Sequence, residues 1–492
     1  MNLTSIENLL NSVDDFFYTY LLTALFILAG IYLTARSRLV QLRHFGTMVN
    51  SLSGSRSGAQ GGISSFQAFA VGLAARVGIG NIAGVALAIV AGGPGALLWM
   101  WVVALIGMAT SFVESTLAQI FKERGRDFTF RGGPAYYIKN GLGSPLWGKI
   151  FAAICIVSVG VTVVMVQTNS LAQVITATVP SVSAWMVGVF LVLLTAPVVL
   201  GGVRLVARVA EWLAPIMALA YVLMAVVVIV LNADKLLEVL VSIFEGAFGL
   251  NQAFFGAAGG VLAALLNGVR RGLFSNEAGL GTVPNAAGTA TVAHPVQQGL
   301  IQSLGVFVDT IIVCTATAFI ILVSGVYSPA LVEAGKLTPN AAGSLTSDAV
   351  AATLGSWTAI PMAIVIFVLA FSSIIAAATY SEVSMTFISE RPEWRWLPRL
   401  VSVVSTGLGA LASLTVVWNT VDITMAVMTL TNLVALIWLA RWGVGALRDW
   451  DAQRASGRVA PLFSGVGNPY LPGDLPGDVW PGERASLTEA DS

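Results

Sequence analysis

The sequence predicts an all-α membrane protein of about 11 transmembrane helices, built as two five-helix halves of opposite orientation behind one extra N-terminal helix. Three observations lead there. Of 492 residues, 56% are hydrophobic and 10% charged, against roughly 25% charged in a soluble domain, so the apolar surface must face lipid. Apolar runs recur at the length of about 20 residues that a helix needs to cross a hydrocarbon core about 30 Å thick. Lys and Arg, equal in number to Asp and Glu at 25 each, are concentrated on alternate loops.

Taken in order, the spans fall at about 16–35, 67–91, 95–120, 148–177, 184–202, 210–231, 257–291, 298–325, 357–388, 397–417 and 420–441. No Lys or Arg precedes the first run. That is the wrong polarity for a cleavable signal peptide, and the run is expected to stay as a membrane helix. Spans 7 and 9 are too long for single straight crossings. The short alternating segments of a membrane β-barrel are absent. Between the spans, one side holds Arg36, Arg38, Arg43, Arg56, Lys122, Arg124, Arg126, Arg131, Lys139, Lys149, Arg204, Arg208, Arg391, Arg395, Arg399 and the five Arg after position 440; the other holds only Lys235 and Lys336. The positive-inside rule then puts the N-terminus outside and the C-terminus in the cytoplasm of a plasma (inner) membrane protein.

The expected organisation is an extra helix at 1–35, a cytoplasmic loop at 36–66, a first repeat at 67–231, an external loop at 232–256, a second repeat at 257–442 and a tail at 443–492. The tail turns rich in Gly, Pro, Ser and acidic residues. Such a composition predicts a flexible cytoplasmic segment.

The chemistry concentrates at two places. Span 2 reads FAVGLAARVGIGNIAGVALAIV, with Gly78 and Gly80 around Ile79 and Asn81 following; span 7 reads RRGLFSNEAGLGTVPNAAGTA, with Gly279 and Gly281 around Leu280. Small residues of this kind also serve close helix packing. Both motifs, however, carry clustered polar side chains and lie five spans apart. Interrupted helices at corresponding positions of two halves point to a secondary transporter with inverted repeats. An interrupted helix exposes N–H groups suited to a carboxylate and carbonyls suited to a small hard cation. The residues alone thus reach cation-coupled transport of a small anionic or zwitterionic solute.

At these residues the chain resembles the alanine/glycine:cation symporter family, also called sodium:alanine symporters. The matching segments are AARVGIGNIAGVALAIVAGGPGALLWMWVVALIGMATSFVE at 74–114, FRGGPAYYIKNGLG at 130–143, RGLFSNEAGLGTVPNAAGTA at 271–290 and FVLAFSSIIAAATYSE at 367–382. The resemblance implies a LeuT-like fold, Na⁺ or H⁺ coupling, and uptake of L-alanine, D-alanine or glycine. It implies that the backbone of Arg76, Val77, Gly78, Ile79 and Gly80 offers N–H groups to the substrate carboxylate, with Asn81 nearby. Phe274 would be a lid, and Asn276 and Gln167 side-chain contacts to the amino acid. The carbonyls of Ala74 and Val77 with the hydroxyls of Ser372 and Ser373 would hold Na⁺, the one cofactor implied. Without the resemblance, Gln167 reads as an interhelical hydrogen bond and the serine pair as bonding back to its own helix. Where many members carry a Trp, this chain has Ala376, Ala377 and Ala378. A floor at Ala377 enlarges the pocket, so the substrate is a small neutral amino acid, with glutamine as the alternative.

Charges within spans need partners. Arg76 either balances Glu277 or Asp309 or attracts substrate, with pairing favoured. Glu114 and Glu382 read as gate or orientation charges, Arg270 and Arg271 as lining an external vestibule, and Asp309 as a candidate for proton coupling. His44, His294, Cys155 and Cys314 are too scattered for a metal cluster or a nucleophile with its base. No phosphate-binding loop is present. The expectation is a transporter rather than an enzyme, working by alternating access, with no organic cofactor and no nucleic-acid partner. A channel and a non-transporting amino-acid sensor are the competing classes.

Overall fold

The computed structural model describes residues 3–53, 63–125, 129–250, 257–338 and 342–480. Arg56, Arg126 and Arg484, counted above among the charges of one side, lie outside the described residues, as do positions 481–492 of the tail and parts of the two expected loops.

In chain order the main helices are α1 (Glu7–Arg36), α2 (Ser65–Arg76), α3 (Gly80–Gly92), α4 (Ala96–Ile120), α5 (Pro134–Leu142) and α6 (Pro145–Thr178). There follow α7 (Ala184–Leu200), α8 (Val203–Leu231), α9 (Leu236–Phe248), α10 (Ala257–Asn276), α11 (Val283–Ala287) and α12 (Pro295–Ser324). The last four are α13 (Ala342–Leu354), α14 (Ser356–Ile388), α15 (Trp396–Gly409) and α16 (Leu414–Ala455).

Seven of these, α1, α4, α6, α8, α12, α14 and α16, are long and apolar enough to cross a membrane, and the bent pair α2 with α3 makes up to eight. α7 is shorter at 17 residues. Local chemistry sets the starts: Ser64 and Gln67 form a capping box ahead of α2, and Pro134, Pro145 and Pro295 open α5, α6 and α12, where a missing N–H costs nothing. α4 packs between α12, α10 and α16. α8 instead leaves Trp212, Ile216, Leu219 and Leu223 exposed, one helical stripe of the kind that meets lipid. π-helical stretches interrupt α1, α6 and α12, at Phe17–Leu22, Ser158–Val163 and Phe307–Cys314, and another opens α3 at Gly80–Gly84. Such turns recur at functional sites, and two of these carry Asn81 and Asp309.

Three expectations are corrected. The stretch 232–256 is not only loop: α9 buries Val239, Ile243 and Ala247, a stripe at four-residue spacing. The stretch 36–66 holds the helices Val40–Arg43 and Phe45–Ser53. The tail is not flexible from 443. α16 continues to Ala455, and residues 456–480 fold back over the bundle with Phe463, Leu475 and Trp480 buried. The Trp480 indole donates to the Gln119 carbonyl at 3.1 Å, and the Phe463 N–H to the Ala293 carbonyl at 3.1 Å. A few large apolar side chains anchor a segment whose average composition hid them.

Candidate functional site

The first break lies between α2 and α3, which meet at 47°. α2 ends when Val77 leaves the helical region at φ −78°, ψ 87°. Glycine is required here by close approach. A Cβ on Gly78 would sit 2.2 Å from Ser373 Oγ, and one on Gly80 2.9 Å from the Phe274 ring. Two side chains take up the freed N–H groups: Gly78 donates to Asn81 Oδ1 at 2.8 Å and Ile79 to Gln167 Oε1 at 3.0 Å.

The second break follows α10. Glu277, Gly279 and Gly281 adopt left-handed backbone at φ +55°, +78° and +80°, and helix resumes only in the single turn of α11. A non-glycine residue at positive φ is uncommon. Glu277 is held in it by donating its own N–H to the Leu273 carbonyl at 3.0 Å and accepting from the Thr282 hydroxyl at 2.7 Å.

The breaks face one another across the bundle core. Asn81 Nδ2 donates to Ser275 Oγ at 3.0 Å and to Asp309 Oδ1 at 2.6 Å. Ser275 and Thr310 hydroxyls donate to the other Asp309 oxygen at 2.9 and 2.7 Å. Arg76, 1% exposed, donates to the carbonyls of Asn276 at 2.8 Å and Gln302 at 2.9 Å and to the Ser111 hydroxyl at 2.9 Å. None of its bonds among the described residues is to a carboxylate: the carbonyl at the end of α10, a carbonyl within α12 and a hydroxyl of α4 take the place of the expected pairing with Glu277 or Asp309. A cation at the C-terminal end of α10 is where the helix dipole favours one.

Asn276 folds back so that its Oδ1 accepts the Ala278 N–H at 3.0 Å. Its Nδ2 is buried with no hydrogen-bond partner. An orphaned buried donor costs about 1–3 kcal/mol, and it lies beside the two breaks. The Ser373 hydroxyl donates to the Ala74 carbonyl at 2.9 Å and reaches that of Ala75 at 3.2 Å. Ser372 reaches the Ala74 carbonyl at 3.4 Å but also bonds back to Leu369 at 2.9 Å. Ala74, Ser372 and Ser373 are thus brought together. These neutral oxygens are of the chemistry that suits Na⁺. Val77 is buried nearby, and Ala377, 2% exposed, follows Ser373 by one helical turn.

Toward the end where α1 begins, Phe274 packs against Trp418 with the rings tilted at 44° and their centroids 5.0 Å apart, and the Arg271 guanidinium lies 4.9 Å over Trp418 while pairing with Asp422. A cavity of about 380 Å³ lined by Asn11, Asn267, Arg270, Arg271, Trp418 and Asn419 opens beyond them. Residues 71–86 and 271–290, which hold both breaks, are all buried. Sequence reasoning missed Trp418, Asp422 and Gln302, and read Ser275 only as part of the polar cluster ahead of the second break. Asp422 alone carried a signal, as an acid within an apolar span.

The model of the sodium:alanine symporter family matches residues 3–464. The chain is 40% identical over 480 residues to the amino-acid carrier protein AlsT of Bacillus subtilis, covering 97% of this chain and 98% of that one. It is 39% identical to the probable sodium/glutamine symporter GlnT of the same organism, covering 94% of each. It is 35% identical to the sodium/alanine symporter AgcS of Methanococcus maripaludis, covering 88% of this chain and 94% of that one. Among solved structures, MhsT in complex with L-phenylalanine matches with a TM-score of 0.58 at 14% identity, over 78% of this chain and 91% of that one. That likeness identifies the fold as LeuT-like. The family is one of multi-pass membrane transporters for amino acids, not of enzymes, and its description names sodium as the coupling ion. On the match of its model and of these relatives over nearly their whole length, this chain belongs to the sodium:alanine symporter family.

Proposed function

We propose that the protein takes up alanine, glycine or another small neutral amino acid into the cytoplasm by sodium-coupled symport, through alternating access. The observation that carries this reading is the pair of facing breaks with an orphaned Asn276 amide between them. The Gly78 and Ile79 N–H groups would receive the substrate carboxylate, displacing the Asn81 and Gln167 oxygens that now hold them. Arg76 would orient the site through the Asn276 carbonyl, Asn276 would bond the amino acid, and Phe274 would cover it. Ala74, Val77, Ser372 and Ser373 would hold Na⁺, whose charge would tie the end of α2 to α14. Occupancy of each site favours the other by the same factor.

In this reading the membrane domain has eleven spans, with α7, α10 continuing through α11, and α15 completing the set. It forms a 5+5 inverted repeat whose discontinuous helices are spans 2 and 7, with α1 added, the N-terminus outside and the C-terminus cytoplasmic. A second reading, a larger neutral substrate such as glutamine, is favoured by Ala376, Ala377 and Ala378 and by the likeness to the relative named for glutamine. Uptake of labelled L-alanine into reconstituted vesicles with and without an Na⁺ gradient tests transport and coupling together, and competition by a series from glycine to glutamine measures the pocket. Uptake driven by a proton gradient alone would move the ion assignment to H⁺.

A further inference from the structure

Glu114 is used by nothing in the reading above, yet it lies fully buried in α4, where a carboxylate is costly unless it is bonded. Its Oε1 accepts the Gly279 N–H at 3.2 Å and its Oε2 accepts from Asn432 Nδ2 at 3.1 Å. The same Asn432 amide donates to the Gly279 carbonyl at 2.9 Å. The Tyr137 hydroxyl donates to Asn432 Oδ1, which turns the amide so that its NH₂ faces Glu114 and Gly279.

Both backbone polar groups of Gly279 are therefore held by side chains from two other helices, α4 and α16, and α5 orients one of them. The neighbouring Asn276 carbonyl is held by Arg76 from α2. Non-helical backbone at membrane depth is tolerated only when bonded in this way. Gly279 and Gly281 leave no slack: a Cβ on Gly281 would meet Pro134 at 2.6 Å and Phe151 at 2.8 Å.

We propose that Glu114, with Asn432 and Tyr137, is a positioning residue: it clamps the Gly279 peptide and so sets the placement of Asn276 and Phe274, and with it substrate affinity, without touching substrate. This rests on the transport reading for its effect on affinity, but not for the clamp itself.

The test pairs alanine uptake in reconstituted vesicles with hydrogen exchange of the purified full-length protein, for wild type, Glu114→Gln, Glu114→Ala and Tyr137→Phe. The expected result for Glu114→Ala is a KM for alanine raised roughly ten- to a hundredfold, the factor that leaving one buried donor without its acceptor carries. Maximal rate per transporter falls less, and amide exchange quickens at 279–284. Glu114→Gln, whose amide oxygen still accepts from Gly279, falls between, and it serves if the alanine variant does not fold. An unchanged KM, or a raised KM without faster exchange at 279–284, overturns the proposal. If the wild type takes up no alanine, the transport reading fails, and exchange alone decides the clamp: faster exchange upholds it and unchanged exchange overturns it.

Discussion

The Gln167 amide oxygen accepts the N–H of Ile79, 88 residues away in the chain, at 3.0 Å. An acceptor from α6 thus occupies the position where the broken helix has a donor to offer. Replacing Gln167 with Leu strands that N–H in the core. Stability should fall by about 1–3 kcal/mol, and the KM for alanine should rise. Gln167→Glu keeps an oxygen on Ile79 but sets a negative charge against the substrate carboxylate, so uptake should be lost with less loss of stability. Thermal melts beside uptake kinetics check both, and equal alanine KM in the Leu variant would refute a role in binding.

Ser373 bridges α14 to the Ala74 and Ala75 carbonyls of α2. Ser373→Ala removes one oxygen from the proposed cation site. The half-saturating Na⁺ concentration for uptake should rise about tenfold, the scale of one polar contact. By linkage, alanine affinity should fall at low Na⁺ and recover at saturating Na⁺. A Na⁺ titration of uptake that coincides with wild type would remove Ser373 from the site.

Gly78 and Gly46 offer a matched pair of substitutions. A methyl at Gly78 meets Ser373 Oγ at 2.2 Å, whereas one at Gly46 meets nothing within 4 Å. Gly78→Ala should abolish uptake, and Gly46→Ala should leave it at the wild-type rate. Comparable activity in the two variants would mean that the first break does not need the close contact of α2 with α14.

The folded tail gives a further expectation. Trp480 packs edge-on against Phe463 at 5.1 Å, lies 4.8 Å from the Lys122 amine and bonds to Gln119. Burial pushes the Lys122 amine well below the ordinary lysine range, a mark of how closely this segment covers it. Trp480→Ala should cost roughly 3 kcal/mol, as truncation of a buried aromatic does. A melt unchanged from wild type would show that the segment contributes nothing to the fold.

What could be read from the chain alone follows from where the signal lies. The GxG motifs at 78–80 and 279–281 announce themselves because polar and glycine residues at membrane depth need a reason. Asn81 stood out beside the first motif as a polar residue at membrane depth, whereas the roles of Gln167 and Phe274 came only with the family likeness, since single polar or aromatic residues in a helix have many bland uses. Trp418 was illegible, and Asp422 showed only as an acid within an apolar span, because their partners, Phe274 and Arg271, lie far off in the chain and no local pattern encodes such pairing. The tail misled for the opposite reason. Its mean composition is that of a disordered segment, while three residues, Phe463, Leu475 and Trp480, supply the anchoring. The Arg76 pairing was drawn toward the nearest carboxylates, when the end of α10 offered a carbonyl of the right sign.

The central claim is that the two facing breaks serve sodium-driven amino-acid uptake. It is tested most directly by loading vesicles with the purified protein, imposing an inward Na⁺ gradient at equal pH, and following labelled L-alanine over time. The account predicts accumulation above the external concentration that collapses when the Na⁺ gradient is dissipated. Alanine that merely equilibrates, with or without Na⁺, would contradict it.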